Sequence, residues 1–321
     1  MASTAADTDS WALTDSALDF LQRAVTEVTT GSSEYKYAAL DLAVAVETLI
    51  KARLVREHWT LVVKPIDKKT TKAAFLAGTG RTIGPEEGIE RLEKVVGLAI
   101  PLRQAAQVAA LTGLRNQVVH FAPPTGPGAD PAMLDKIGDG LSFALWFLDH
   151  HFGSDAPVAE AERIVEVKSS ISTELAQIGG LAKKRLADIS TKLDAEPRLY
   201  WCPNCTQNTL ALRAGAEPEC LYCYATGVGE AVAEAYVAYS LISHSSVETC
   251  TNCGTLALVG GVRPVKDSTA APEPAPYWLC FSCSMTAGQA DFINCLICGE
   301  MTTEVALGMC EMCSSERFEK F

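Results

Sequence analysis

Gly113-Leu114-Arg115-Asn116-Gln117-Val118-Val119-His120-Phe121 closes an alanine- and leucine-rich run, and Pro123-Pro124 follows one residue later. Proline has no N–H and restricts the residue before it, so the run predicts a helix that must stop here. An arginine, an amide and a histidine are thereby delivered together at a helix C-terminus. Arginine is permanently charged and shaped for phosphate, and histidine titrates near neutral pH. These groups suit chemistry on a phosphodiester without a metal. The plainer alternative is that Arg115 satisfies the helix's last carbonyls while His120 packs in the following turn.

Outward from this stretch, the N-terminal half reads as helix throughout. Residues 11–30 place Leu13, Ala17, Phe20, Leu21, Ala24, Val25 and Val28 at three- and four-residue steps. Gly31-Ser32-Ser33 breaks that run, with Ser33 as an N-cap for a long second helix over 34–57. The second helix is strongly periodic, with Tyr37, Leu40, Val44, Leu49, Ile50 and Leu54 on or near one face. It also sets Glu47 and Lys51 one turn apart, the spacing of a surface ion pair. Residues 59–84 predict a loop with one short helix near 70–77. Pro85 fits the N1 position of a third helix, with Glu86 and Glu87 behind it, and Pro101 should kink or divide that helix. A last helix over 131–152 is apolar through Leu141, Phe143, Leu145, Trp146 and Leu148. With no alternating pattern anywhere, residues 1–153 predict an all-α bundle of four or five helices.

Two parts of this half resemble one known family. Tyr35-Lys36-Tyr37 through Glu47-Thr48-Leu49-Ile50-Lys51-Ala52-Arg53-Leu54, followed by Glu57-His58-Trp59, looks like the second helix of HEPN domains. The segment from Leu114 to Phe121 is similar to that family's signature, an arginine, commonly with a polar neighbour, and a histidine four to six residues on. The likeness covers about residues 11–152. It implies a metal-independent RNA endonuclease working as a homodimer, two signatures meeting in one cleft, and membership of toxin–antitoxin, phage-defence or other stress systems. Carried over by position, Arg115 and His120 would be the catalytic pair, Asn116 the polar residue beside them, and Glu47 an orienting carboxylate. On a regular helix Arg115 and His120 stand about 140° apart. They need a loosened last turn, or a second subunit, to act together. His120 would exchange a proton with the ribose 2′-OH or the leaving oxygen, and Arg115 would stabilise charge on the phosphoryl oxygens. The products would carry a 2′,3′-cyclic phosphate.

The 321 residues are 48% hydrophobic, enough for packed cores, and no apolar run approaches the roughly 20 residues of a membrane helix. The N-terminus lacks a basic region and an apolar segment, so a cytoplasmic protein without a membrane partner is expected. The net charge of −12 is uneven, with −3 over 1–153, −2 over 154–196 and −7 over 197–321. Lys64, Lys68, Lys69, Lys72 and Arg81 nevertheless form a local basic run, a solvated loop or a phosphate grip. His58 beside Trp59, and His150-His151 at a helix end, read as packing or helix-dipole partners rather than ligands. His244 lies near cysteines that already complete a metal's ligand set.

Residues 154–196 carry Ile164, Val167, Ile171, Leu175, Ile178, Leu181, Leu186, Ile189 and Leu193 mostly at three- and four-residue steps. They predict a helical linker, one helix or a pair broken at Gly179-Gly180, with a face for self-association.

All twelve cysteines fall after residue 200, in six Cys-x-x-Cys pairs: Cys202/Cys205, Cys220/Cys223, Cys250/Cys253, Cys280/Cys283, Cys295/Cys298 and Cys310/Cys313. Each pair can hold one edge of a tetrahedral Zn²⁺, and two pairs complete a Cys₄ site. Three structural zinc sites, paired consecutively, predict three zinc-ribbon-like modules with short strands over 197–321. Trp201, Tyr277-Trp278 and Asn252-Cys253-Gly254 fit such knuckles and strands, and residues 228–243 read as a helix between the first two modules. Disulfides would need an oxidising compartment. The acidity of this region opposes a nucleic-acid surface, so a regulatory protein partner is expected there. The leading expectation is therefore an endoribonuclease regulated through zinc modules. The alternative is a non-catalytic dimeric adaptor, or a nucleic-acid-binding regulator, whose ribbons recruit a partner.

Overall fold

The structure, a computed structural model, describes residues 5–31, 34–67, 70–121, 129–152, 157–239, 246–267, 275–288, 292–298, 301–302 and 309–318. Ser33, Lys68, Lys69, Pro123, Pro124, His244 and most of the proline-rich stretch at 270–276 lie outside them. By packing, the chain divides after Ile189 into two compact units.

The first unit is helical, as its periodicity predicts. It comprises α1 (Ala5–Thr30), α2 (Tyr35–Glu57), a 3-10 turn (Trp59–Val62), α3 (Lys72–Leu76), α4 (Pro85–Arg91), α5 (Leu102–His120) and α6 (Ala129–His151). Three more helices complete it: α7 (Val158–Ser170), α8 (Ser172–Gln177) and α9 (Gly179–Asp188). Pro85 opens α4 with Glu86 and Glu87 in its first turn. A π-helical turn at Leu92–Val96 then ends at left-handed Gly97, and α5 starts directly after Pro101. The chain is divided there rather than kinked.

α2 is the central helix, packed by α1, α4, α5 and α6. Its buried face keeps Leu49, Ile50 and Leu54 of the face read from the sequence but not Tyr37 or Val44. Ala38, Ala39, Leu42, Ala45, Val46, Leu49, Ile50, Ala52, Leu54 and Val55 are buried, while Tyr37 and Val44 are 46% and 40% exposed. Alanines on α2, with Ala17 and Ala24 on α1, let the two backbones approach closely, while Tyr37 and Val44 point outward. Close approach also decides Gly140 on α6, where a Cβ would meet Leu111 Cδ2 at 2.7 Å and Leu42 Cδ2 at 2.8 Å. Phe143 and Phe147, stacked with centroids 5.3 Å apart, continue the α6 core.

Residues 157–189 are part of this unit rather than a spacer. The chain breaks at Ile171, Ile178 and Ile189, and Gly179 starts a helix instead of interrupting one. Ile164, Val167, Ile171, Leu175, Ile178, Leu181 and Ile189 are all buried. The face read as a self-association surface is thus covered within the chain. Polar contacts hold it in place. Arg163 reaches Asp15 and Asp19 of α1 at 3.1 and 2.8 Å, and Lys168 pairs with Asp149 at 2.6 Å. The carboxylate of Asp188 is wholly buried. It receives Gln104 Nε2 at 3.0 Å, Arg103 at 3.2 Å and the Ser142 hydroxyl, fastening α9 to α5 and α6. A buried carboxylate is tolerated only with such partners.

The second unit opens with α10 (Ser190–Ala195) and is built from short antiparallel strands around the cysteines. Strands β1 (Arg198–Tyr200), β2 (Leu210–Ala211) and β3 (Glu219–Cys220) form one sheet, extended beyond β1 by β6 (Lys266–Asp267). Strands β4 (Val247–Thr249), β5 (Leu256–Val262), β7 (Tyr277–Cys280) and β8 (Thr286–Gly288) form the second. A hairpin of β9 (Ile293–Asn294) and β10 (Met301–Thr302) precedes α12 (Glu311–Phe318). Between the first two sheets lies α11 (Gly229–Tyr239), within the helix expected over 228–243. Its Tyr236 sits 5.7 Å from the Trp201 ring and 4.9 Å from the Phe281 ring.

Candidate metal centres and the helix-terminal arginine and histidine

The cysteines gather as consecutive pairs: Cys202, Cys205, Cys220 and Cys223; Cys250, Cys253, Cys280 and Cys283; and Cys295, Cys298, Cys310 and Cys313. Within each group every sulfur lies within 4.8 Å of the others. The shorter separations are 3.6 Å (Cys205–Cys220), 3.7 Å (Cys253–Cys280) and 3.8 Å (Cys250–Cys283 and Cys298–Cys310). Four sulfurs about 2.3 Å from one ion would stand about 3.8 Å apart in a tetrahedron, whereas a disulfide needs about 2.05 Å. The groups have the dimensions of mononuclear tetrahedral metal sites.

The local cause is a repeated turn. The N–H groups of Thr206, Tyr224, Gly254, Ser284 and Ser314 each donate to the carbonyl of the first cysteine of their pair, at 2.8–2.9 Å. In four of these turns that cysteine's own N–H reaches the carbonyl five residues on, as Cys202 does to Gln207. Thr206, Tyr224, Gly254 and Ser284 all have φ between 60° and 71°. A side chain in this left-handed region costs energy, and only Gly254 avoids the cost. This turn directs both thiols of a pair to one side.

Donors surround the sulfurs. Asn204 Nδ2 lies 3.3 Å from Cys223 Sγ, and Asn252 Nδ2 lies 3.5 Å from Cys283 Sγ. The Thr209 hydroxyl is 3.1 Å from Cys220 Sγ, and the N–H groups of Ile297 and Cys310 approach Cys295 Sγ at 3.4 and 3.3 Å. Such bonds orient thiolates and disperse their charge. The sequence reading missed these partners, although an asparagine in the same place of Cys-Pro-Asn-Cys and Cys-Thr-Asn-Cys was a visible signal. In the first group, hydrogen bonds from Cys202, Cys205 and Cys220 drive the Cys223 thiol well below its usual range. The bond to Cys202 pushes Cys205 well above it. Four thiols in so small a volume cannot ionise together unless a cation joins them. The donor set, four thiolates with no open position, fits Zn²⁺ in a structural role.

The helix-terminal stretch is arranged differently. α5 is regular α-helix through His120, so its last turn does not loosen. Arg115, Asn116 and His120 are exposed. Arg115 Nη1 donates to Asn116 Oδ1 at 3.0 Å rather than to the last carbonyls of the helix. Val119 is 46% exposed and Phe121 84% exposed beside them. Glu47 accepts from Lys51, which also donates to Thr82 Oγ1 at 2.9 Å, and no hydrogen bond or ion pair joins it to Arg115, Asn116 or His120. It forms the i,i+4 surface pair its spacing predicts. His58 Nδ1 lies 2.7 Å from Thr60 Oγ1, and His150 Nδ1 lies 2.8 Å from the Trp146 carbonyl.

No helix among the described residues is long and apolar enough to cross a membrane. No family, curated protein or solved structure matches this chain significantly.

Proposed function

We propose that the helical unit is a metal-independent endoribonuclease acting as a homodimer, with the cysteine modules as zinc-stabilised docking sites for a regulatory protein. The observation that supports it is the exposure of both Arg115 and His120 at the end of a regular helix, with neither spent on capping or packing. One chain holds the two side chains about 140° apart. Two copies meeting at this helix end would set the arginine of each beside the histidine of the other. Exposed Val119 and Phe121 would supply apolar contact for that meeting.

In this reading His120 takes the proton of the ribose 2′-OH, and the oxygen attacks the adjacent phosphorus. The bond to the 5′ oxygen of the next nucleotide breaks, and a histidine returns a proton to it. Arg115 balances charge growing on the phosphoryl oxygens, and Asn116 fixes the guanidinium. The products are a 2′,3′-cyclic phosphate and a 5′-hydroxyl. DNA, lacking the 2′-OH, is spared. Glu47, committed to Lys51, has no part in these steps.

The non-catalytic adaptor draws support from Leu296, Ile297 and Met312, which stand exposed between the cysteines of the third group. Apolar side chains at those tips suit a protein partner better than a phosphate backbone. Incubating the purified chain and its His120→Ala variant with a mixed RNA pool, without divalent metal, separates the readings. The ribonuclease predicts cleavage by the parent to cyclic-phosphate ends, reduced at least about 10²-fold in the variant while metal content and helicity persist. Absence of cleavage by a folded, metal-loaded dimer would leave the adaptor in its place.

A further inference from the structure

A second site lies away from α5, where the chain leaves α2 and returns to α4. The strand-like bridge between Val63 and Thr82 closes this excursion, with Lys64 N–H donating to the Arg81 carbonyl and Ile83 N–H to that of Val62, both at 3.0 Å. Between the two arms is a cavity of about 450 Å³. That is within the range of small-molecule sites. Its lining is mixed. Val63, Pro65 and Phe75 supply apolar surface, Asp67 a carboxylate, and Lys64 and Arg81 cations. The Phe75 ring is backed by Trp59, centroids 5.8 Å apart. Lys64 is already paired with Glu87, which Arg91 also holds. Arg81 makes no ion pair or side-chain hydrogen bond with any described residue.

We propose that this cavity binds a free nucleoside monophosphate. Phe75, steadied by Trp59, offers a face for the base. Arg81 is an uncommitted fork of donors suited to a terminal phosphate. Asp67 accepts from ribose hydroxyls. Among the described residues that line the cavity, Arg81 is the one cation without an ion-pair partner, which matches a single terminal phosphate. Arg115, Asn116 and His120 do not line the cavity, so the proposal stands independently of the ribonuclease reading.

The test is calorimetric titration of the full-length, metal-loaded chain. The probes are the ribonucleoside 5′-monophosphates, the matching nucleosides and triphosphates, inorganic phosphate, and a short RNA oligonucleotide. Expected is saturable binding of at least one monophosphate with Kd below about 1 mM, and at least about tenfold weaker binding of its nucleoside and of inorganic phosphate. Arg81→Gln, on an exposed side chain, should weaken that binding at least about tenfold without moving the thermal midpoint, while His120→Ala leaves it unchanged. Four results overturn the proposal: no saturable binding of any monophosphate, an affinity indifferent to Arg81→Gln, tighter binding of the triphosphate, or binding confined to the oligonucleotide.

Discussion

His151 ends α6 against the rings of Trp146 and Phe147, with centroids 5.2 and 4.9 Å away. Its Nε2 is buried without a hydrogen-bond partner. Burial, and the neighbouring charges of His150 and of Arg53 on α2, lower its pKa from 6.5 to about 4. The unfolded chain therefore binds this proton more readily than the folded one, and stability falls as pH drops from about 6.5 towards 4. His151→Gln should flatten that part of the curve, which urea unfolding at stepped pH would show; an unchanged slope assigns the acid sensitivity elsewhere. The position of His151 at a helix end was plain in the sequence. Its approach to Arg53 was not, because that residue of α2 lies about a hundred positions earlier. Glu47 teaches the converse. Its spacing to Lys51 already contained the partner it takes, and the orienting role came only from resemblance.

Among the elements, α11 shows how a small residue sets metal-site geometry. A Cβ on Gly229 would meet the backbone of the Phe281–Ser282 stretch, with Ser282 N at 2.6 Å and Ser282 Cα at 2.5 Å. Those atoms belong to the turn between Cys280 and Cys283, so the obstacle cannot rotate away as a side-chain tip would. Gly229→Ala should cost about 1–3 kcal/mol of stability in the metal-loaded protein and loosen the second site. Denaturant midpoints with metal content measured alongside would check this, and a neutral substitution would mean that α11 does not seat on that turn. Helices over α1, α2, α5 and α6 were legible because their apolar steps are local. The buried side of α2 was misjudged because periodicity weighs Tyr37 and Val44 above Ala38 and Ala45. Neighbouring backbones prefer the reverse. The segment 157–189 was misread as a spacer for a related reason: an amphipathic helix records that it has a partner, not which one.

Over the whole molecule, the three cysteine groups are unequal as candidate metal sites. Cys202, Cys205, Cys220 and Cys223 are all at most 3% exposed, whereas Cys253 and Cys298 are exposed and Cys283 and Cys313 partly so. A chelator must reach an ion through its ligands, so two metals should leave early and the third late. Release monitored with a chromogenic chelator should be biphasic, about two equivalents before one; a single phase of three would equate the sites. Because ligand binding by a structural ion is also folding free energy, of order 10–16 kcal/mol in small zinc domains, removing the last metal should unfold the β1–β3 module. The helical unit has its own apolar core and should keep its helicity throughout.

Sequence by itself determined the helical half, the cysteine half with its short strands, and the cysteines of the three groups, because helix periodicity and a Cys-x-x-Cys turn are properties of a few adjacent residues. Tertiary structure alone decided which face of α2 is buried, that residues 157–189 close the helical unit, that Arg115 and His120 remain exposed on an unbroken helix, and that a cavity opens beside Arg81. Each of these depends on how closely two distant backbones can approach, and no single stretch of chain carries that distance.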